Sequence, residues 1–547
     1  MNDAVEPSQA SSGWLGVVPV IRAERHYGDR VVRCFAVRPK SMHALLAAAV
    51  AANPGAEAIV CQEDRLSYRG FDAIVNRWAA ALAELGVKRG ERVALLLGNG
   101  IAFPAILFAV SRLGAIAVPI SIREQAAPLA YMLSNCGAMA LVHDVELAER
   151  LPVPSATPQL QHRIALAPDM IRGGLPPGAL GATAPTPAEV DEEDTAIILY
   201  TSGTTGRPKG AMLTHLGICH SAMHYQCCMG LTMHDRSVVA VPMSHVTGVV
   251  ALIATIVHLA GTLIIMGEFK AASFLELAER ERMTHTLLVP AMYNLCLLEP
   301  RFARTDLSAW RIGGFGGAPM PEATIARLAE KLPHLRLMNA YGATETTSPA
   351  TLMPAAATAE RLDSVGLPVP CGEVLVMDEA GREMTRGVEG ELWLRGPMVV
   401  RGYWDDPAAT AEGFVAGFWR SGDVGSIDGE GYVRVLDRKK DMINRGGYKI
   451  YSVEVENALM AHSDVVEAAV IARPCPVLGE RVHAVIFRKH DQVTSEELAR
   501  HCAGLIADYK VPETFSFRTT PLPRNANGKV MKRAMKEAVS GANNGSA

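Results

Sequence analysis

The sequence predicts an α/β protein with two parts: a large N-terminal domain, residues 1–436, of α/β layers with a β-rich subdomain near its end, and a small α+β C-terminal domain, residues 437–547. Three observations predict it. At 547 residues the chain exceeds what one hydrophobic core usually serves. Short β-branched runs alternate with helical stretches along the first two-thirds, as in βαβ units. After about residue 366 the texture changes to strands separated by turns, and at residue 437 the charged run "DRKKD" opens a last unit of mixed elements.

The elements follow in order. The start, "MNDAVEPSQASSG", carries Asp3 and Glu6 with no basic flank before an apolar run, so it reads as an arm and not a presequence. "RVALLL" (92–97), a helix through "FPAILFAVSRLG" and "AIAVPI" (115–120) make one βαβ unit. Residues 152–187, rich in Pro, Ala and Gly without a sustained period, are expected to be a surface connection. "TAIILY", "SVVAVP" (237–242) and "THTLLVP" (284–290) are further strands. The uncharged stretch 247–267, "TGVVALIATIVHLAGTLIIMG", is long enough to span a bilayer. Gly261 divides it, so a buried helix, a turn and a buried strand are expected, with no integral membrane span. "EVLVMDEAGREM" and "GELWLRGPMVVRGYW" read as antiparallel strands of the β-rich subdomain. The last unit offers a helix from residue 453, strands "VVEAAVIA" and "RVHAVIFRK", the helix "SEELARHCAGLIADY" and a small polar tail.

Composition narrows the function. A formal charge of −4 over mixed signs gives no footprint for nucleic acid or an anionic membrane, so a small-molecule ligand is expected. The ten cysteines show no CxxC spacing, which suits a reducing, cytoplasmic compartment. His220, His224, Cys227 and Cys228 have a spacing that invites a metal, but no further ligands accompany them and the stretch reads as a helix.

"YTSGTTGRPKG" (200–210) is not a Walker loop, because Lys209 is followed by Gly210. Its glycines and the hydroxyls of Thr201, Ser202, Thr204 and Thr205 nevertheless suit polyphosphate. Four more segments follow in order: "NAYGATETTSP" (339–349), "WRSGDVG" (419–425), "DRKKDMINRGGYKI" (437–450) and "PLPRNANGKVMKR" (521–533). Together the five closely resemble the AMP-forming acyl-CoA synthetases of the adenylate-forming superfamily, over nearly the whole chain.

The resemblance implies a small C-terminal domain that is mobile, and ATP, Mg²⁺ and coenzyme A as cofactors. It implies that the loop of Thr201, Ser202, Gly203, Thr204, Thr205, Gly206 and Lys209 holds the β- and γ-phosphates. Asn339, Ala340, Tyr341 and Gly342 border the nucleotide, Thr344 meets the α-phosphate, and Glu345 with Thr204 serves Mg²⁺. Gly317, Ala318 and Pro319 match the adenine-side wall, and Asp423 and Arg438 the ribose contacts. Lys529 matches the lysine that bridges substrate carboxylate and α-phosphate. Lys440 occupies the hinge position, and Gly446 and Gly447 line the pantetheine tunnel.

His245, Gly248, Val249, Gly316 and Ala343 match the acyl pocket. Ser244 stands where the family usually has an aromatic residue, and the absence of an aspartate disfavours amino acids. The uncharged lining suits a fatty, branched or aromatic monocarboxylate. An acid–CoA ligase is therefore expected, with transfer to a carrier-protein phosphopantetheine as the alternative. A homodimer is left open.

Overall fold

The computed structural model describes residues 13–174, 185–201, 207–489, 493–524 and 530–541. The chain divides into two compact units. One gathers Met1–Ala318, Arg327–Val374 and Leu394–Arg420; the other gathers Pro319–Ala326, Leu375–Trp393 and Ser421–Ala547.

Two large sheets build the first unit. Six strands lie in the order Lys209–Thr214, Thr195–Thr201, Ile116–Pro119, Arg92–Leu96, Ala140–Asp144, His162–Leu166. Arg92–Leu96 runs parallel to Ile116–Pro119, joined through the helix Ala102–Arg112 as the βαβ reading requires. That helix is buried almost throughout, which its apolar content explains. The nine-stranded sheet is ordered Leu367–Pro368, Ser348–Leu352, Arg336–Ala343, Ile312–Gly316, His285–Leu288, Arg236–Val239, Thr262–Ile265, Glu57–Cys61, Asp64–Ser67. Its central pairs are parallel and its strands apolar on both faces, so ligand-binding loops belong at the strands' carboxyl ends.

Two expectations need correction. Residues 152–187 are not merely a connection: His162–Leu166 extends the six-stranded sheet parallel to Ala140–Asp144, followed by the helix Pro168–Gly173. Backbone pairing makes that edge strand; only Leu166 of it is buried, so no apolar period announced it. The stretch 247–267 has the helix, turn and strand expected, but its helix is wound as a π-helix over Thr247–Ala254 before an α-helical Thr255–His258. Tyr68 donates its hydroxyl to Gly261 O at 2.7 Å where the chain turns. Among the described residues no helix is long and apolar enough to cross a membrane. In the buried helix His215–Met229, His220 donates Nδ1–H to Leu216 O and accepts Phe35 N–H at Nε2, so both ring nitrogens are used.

The β-rich segment forms a sheet ordered Glu373–Met377, Gly390–Arg395, Phe418–Ile427, Phe414–Val415, with Val433–Arg438 antiparallel to Phe418–Ile427. Within the second unit another sheet is ordered Tyr448–Ile450, Ile443–Arg445, Gly479–Arg488, Val465–Cys475, with Thr514–Arg518 pairing parallel to Gly479–Arg488. Period-two alternation sorts its faces. Val470, Val482, Ala484 and Ile486 pack with Val455, Leu459, Leu498 and Cys502 of the helices Ser452–Met460 and Ser495–Ala503. Ala469, Ile471 and Val485 pack with Leu522 and with Met535 of the helix Lys532–Gly541.

Candidate active site

The strands Thr195–Thr201 and Lys209–Thr214 pair antiparallel with Thr201 opposite Lys209, so the two ends of the Gly/Ser/Thr loop stand side by side. Ser202, Gly203, Thr204, Thr205 and Gly206 lie outside the described residues. Tyr200 anchors the loop's base, its hydroxyl 2.6 Å from Asn135 Oδ1.

The second segment is shaped by its backbone. Arg336–Ala343 runs parallel to Ile312–Gly316, which sets Asn339 beside Phe315 and Ala340 beside Gly316. A Cβ on Gly316 would come within 2.4 Å of Ala340 O, and one on Gly342 within 1.8 Å of Ser348 O. Both positions admit only glycine without backbone movement. After Ala343 the chain makes a 3₁₀ turn, Thr344–Thr346, then takes left-handed φ values of 49° at Thr347 and 93° at Ser348. These cost energy in non-glycine residues and need local support. Thr346 Oγ1 supplies it by accepting Ala343 N–H at 2.9 Å and donating to Ser348 O at 2.8 Å, and Ser348 Oγ lies 2.8 Å from the Tyr225 hydroxyl.

That turn aims Glu345 inward, with the residue only 8% exposed. Its Oε1 accepts the Tyr403 hydroxyl at 3.0 Å and lies 3.4 Å from Thr201 Oγ1, a residue 144 positions away. Lys209 Nζ stands 5.3 Å from the centre of the Tyr403 ring. The structure thus brings Thr201, Lys209 and Glu345 together around Tyr403, which sequence reasoning missed. Burial, and next the Glu345 charge, raise the Tyr403 phenol, so it remains a proton donor. A buried carboxylate beside a hydroxyl is an oxygen donor set that suits Mg²⁺.

The other first-unit residues are placed less tightly by side chains. Gly317, at φ 79°, and Ala318 are exposed just beyond the strand Ile312–Gly316. Tyr341, Ala343 and Thr344 are partly buried. His245 contacts Thr247 Oγ1 at 3.2 Å through Nδ1, and burial lowers its pKa to about 4, leaving it neutral at physiological pH. A Cβ on Gly248 would meet Pro242 O at 2.4 Å, so the π-helix packs directly against the strand's exit. Val249 is fully buried in that helix.

The second unit holds Pro319, Asp423, Arg438, Lys440, Gly446 and Gly447. Asp423 faces Arg438 across adjacent strands, with Arg438 Nε 3.2 Å from Asp423 Oδ1. Lys440 is exposed in the turn that follows. Gly446 and Gly447, with φ of 58° and 92°, turn the hairpin between Ile443–Arg445 and Tyr448–Ile450. Lys529 lies outside the described residues.

Thr201 and Lys209, opposite each other on antiparallel strands and near the buried Glu345 carboxylate, are a combination that suits phosphate handling, and comparison gives the family. Residues 46–404 match the AMP-binding enzyme family, and residues 454–529 match the AMP-binding enzyme C-terminal domain. The chain belongs to this family of adenylate-forming enzymes. It is 33% identical to a long-chain-fatty-acid–CoA ligase of Mycobacterium tuberculosis, covering 87% of this chain and 93% of the relative. It is 34% identical to a feruloyl-CoA synthase of an Amycolatopsis species, covering 88% and 95%. The o-succinylbenzoate CoA synthetase of Bacillus subtilis, solved with its acyl-adenylate intermediate, superposes with a TM-score of 0.81 at 27% identity over 91% of this chain and 98% of that one.

Proposed function

We propose that the protein is an ATP-dependent acid–CoA ligase that turns an apolar fatty, branched or aromatic monocarboxylic acid into its acyl-adenylate with release of pyrophosphate, and then into an acyl-CoA thioester. The observation that carries this reading is the cluster of Thr201, Lys209, Tyr403 and Glu345, assembled from three distant segments of a chain that belongs to the AMP-binding enzymes.

The chemistry explains the parts. A carboxylate oxygen attacks the α-phosphorus and the bond to the bridging oxygen of pyrophosphate breaks, so negative charge grows on the leaving group. Lys209 and the loop hydroxyls are assigned to that leaving group. Glu345, oriented by Tyr403, and Thr204 would hold Mg²⁺, whose chemistry here is charge neutralisation on phosphate oxygens. Thr344 is assigned to the α-phosphate, Asn339 to Gly342 and Gly317 to Pro319 to the adenosine surroundings, and Asp423 with Arg438 to the ribose. Lys529 bridges the attacking carboxylate and the α-phosphate. A neutral His245 beside the apolar Gly248 segment presents no charge to the acid's tail, which favours apolar substrates. For the second step Lys440 is the pivot that moves residues 437–547, and Gly446 and Gly447 admit the pantetheine arm. Ten unbridged cysteines support a cytoplasmic setting.

The test is pyrophosphate release with ATP and Mg²⁺ across aliphatic, branched and aryl acids, with and without CoA. Acid-dependent release that turns over only with CoA is expected. Release of one equivalent that stalls despite CoA would overturn the CoA assignment in favour of a carrier-protein acceptor.

A further inference from the structure

The second unit buries a charged pair that none of the roles above uses. Lys532 opens the helix Lys532–Gly541, three positions beyond Lys529. A cation at a helix N-terminus opposes the macrodipole, so helix formation does not explain it. Its ammonium instead donates to Ser452 Oγ at 2.6 Å and lies 2.7 Å from Glu456 Oε1, the two charged side chains being 16% and 14% exposed. Glu456 Oε1 also accepts Val470 N–H at 2.8 Å. Ser452 N–H donates to Asp437 Oδ2 at 2.5 Å, and Asp437 Oδ1 accepts Arg438 N–H at 2.7 Å. Lys532 is thereby linked through Ser452 and Asp437 to the strand Val433–Arg438, whose Arg438 pairs with Asp423 of the adjacent strand.

A second carboxylate serves the other side of residues 525–529. Arg524 and Val530 face each other as bridge partners, and Met531 N–H donates to Pro523 O at 2.8 Å. Glu467 Oε1 accepts Arg524 Nη2 at 2.7 Å, and its Oε2 accepts Leu522 N–H at 2.9 Å. Glu467 and Val470 belong to one strand, Val465–Cys475. Both flanks of the five-residue segment are therefore tied to that strand through two carboxylates.

We propose that Glu456–Lys532 and Glu467–Arg524 are positioning pairs that fix the two ends of the segment carrying Lys529 and so set where its ammonium meets the α-phosphate. The inference rests on the assignment of Lys529 to adenylation. Reacting groups must be held to within a fraction of an ångström for the rate to be kept, so loosening either anchor costs turnover in the step that uses Lys529. Substrate binding through the other groups is left as it was.

The experiment measures the two half-reactions separately: adenylation by pyrophosphate release, and thioester formation from a supplied acyl-adenylate and CoA. Lys532→Met is expected to lower adenylation kcat by about tenfold to a hundredfold with the KM for ATP changed less than about threefold. Thioester formation is expected to change less than about twofold, and Lys532→Arg to restore most of the adenylation rate. In the Lys529→Ala background, Lys532→Met should add no further loss, because it acts through the group already removed. Glu467→Gln provides an independent arm should Lys532→Met fail to fold. An amide offers only one oxygen to the two donors that Glu467 satisfies, so a smaller loss of the same kind is expected.

Equal loss in both half-reactions, an additive loss in the double variant, or unchanged adenylation in a folded Lys532→Met protein would each overturn the proposal. Lys529→Ala run alongside separates the two readings. If it leaves adenylation intact, the assignment of Lys529 fails; if it abolishes adenylation while Lys532→Met and Glu467→Gln do nothing, only the positioning pairs fail.

Discussion

The two units hold their candidate functional groups in different ways. In the first, position is set by backbone that admits almost no alternative: glycines at 316 and 342 pressed against carbonyl oxygens, and left-handed residues at 347 and 348 pinned by Thr346 and Tyr225. In the second, position is set by paired charges: Asp423 with Arg438, Glu456 with Lys532, Glu467 with Arg524. Backbone-limited geometry resists small side-chain changes but fails when a Cβ is added. Charge-limited geometry tolerates backbone adjustment but loosens when one partner is removed, since a charge-assisted contact between distant segments is lost. The first device suits the fixed phosphate cradle proposed above, and the second suits the proposed role of a segment that acts in one step and withdraws in the next.

Five measurements break or sharpen the contrast. Lys529→Ala has the largest expected effect, about a thousandfold loss of adenylation with thioester formation from supplied acyl-adenylate largely kept. Equal loss in both half-reactions would falsify the assigned role. Lys440→Pro should show the reverse asymmetry by stiffening the pivot, retaining pyrophosphate release and losing thioester formation; loss in both steps, or in neither, counts against a hinge there. Gly342→Ala should lower adenylation about a hundredfold and thermal stability together, because the new Cβ would meet Ser348 O at 1.8 Å. A normally active, normally stable variant would show that this backbone yields easily.

Tyr403→Phe removes the hydroxyl that donates to Glu345 Oε1 and leaves the ring under Lys209. A loss of about 1.5 kcal/mol, or about tenfold, is expected for a hydrogen bond to a charged group. The Mg²⁺ concentration giving half-maximal protection in thermal shift with ATP should rise as well, and an unchanged Mg²⁺ midpoint would remove Tyr403 from that role. The smallest effect is on stability. His215, His220 and His285 are buried, and burial lowers each to about 4. Between that value and the unfolded value near 6.5 the unfolded chain binds more protons, so the stabilisation is present above about pH 6.5 and is lost as pH falls toward 4. The melting temperature should drop by several degrees between pH 7 and 5; a flat profile would contradict the buried neutral histidines.

Much of the fold was legible because its strands are buried on both faces. Runs such as those at Arg92–Leu96 and Thr195–Thr201 read as strands without reference to any neighbour. The edge strand His162–Leu166 was not legible, since its pairing with Ala140–Asp144 uses backbone that every residue possesses. The π-winding of Thr247–Ala254 was hidden too, because an all-apolar stretch has no face to betray its period. At the site, the residue types and their order pointed to the family, but a lone tyrosine in "RGYW" carries no signal that it will donate to Glu345.

By itself, the sequence determined the α/β alternation, the order of the five motifs and the family they define. These depend on local patterning and on residue identity, which survive in a linear string. Only the tertiary structure decided that Thr201, Lys209, Tyr403 and Glu345 meet, which glycines are sterically obligatory, and that two carboxylates grip the flanks of the Lys529 segment. Those facts depend on distances between residues far apart in the chain, and packing, not local preference, sets them.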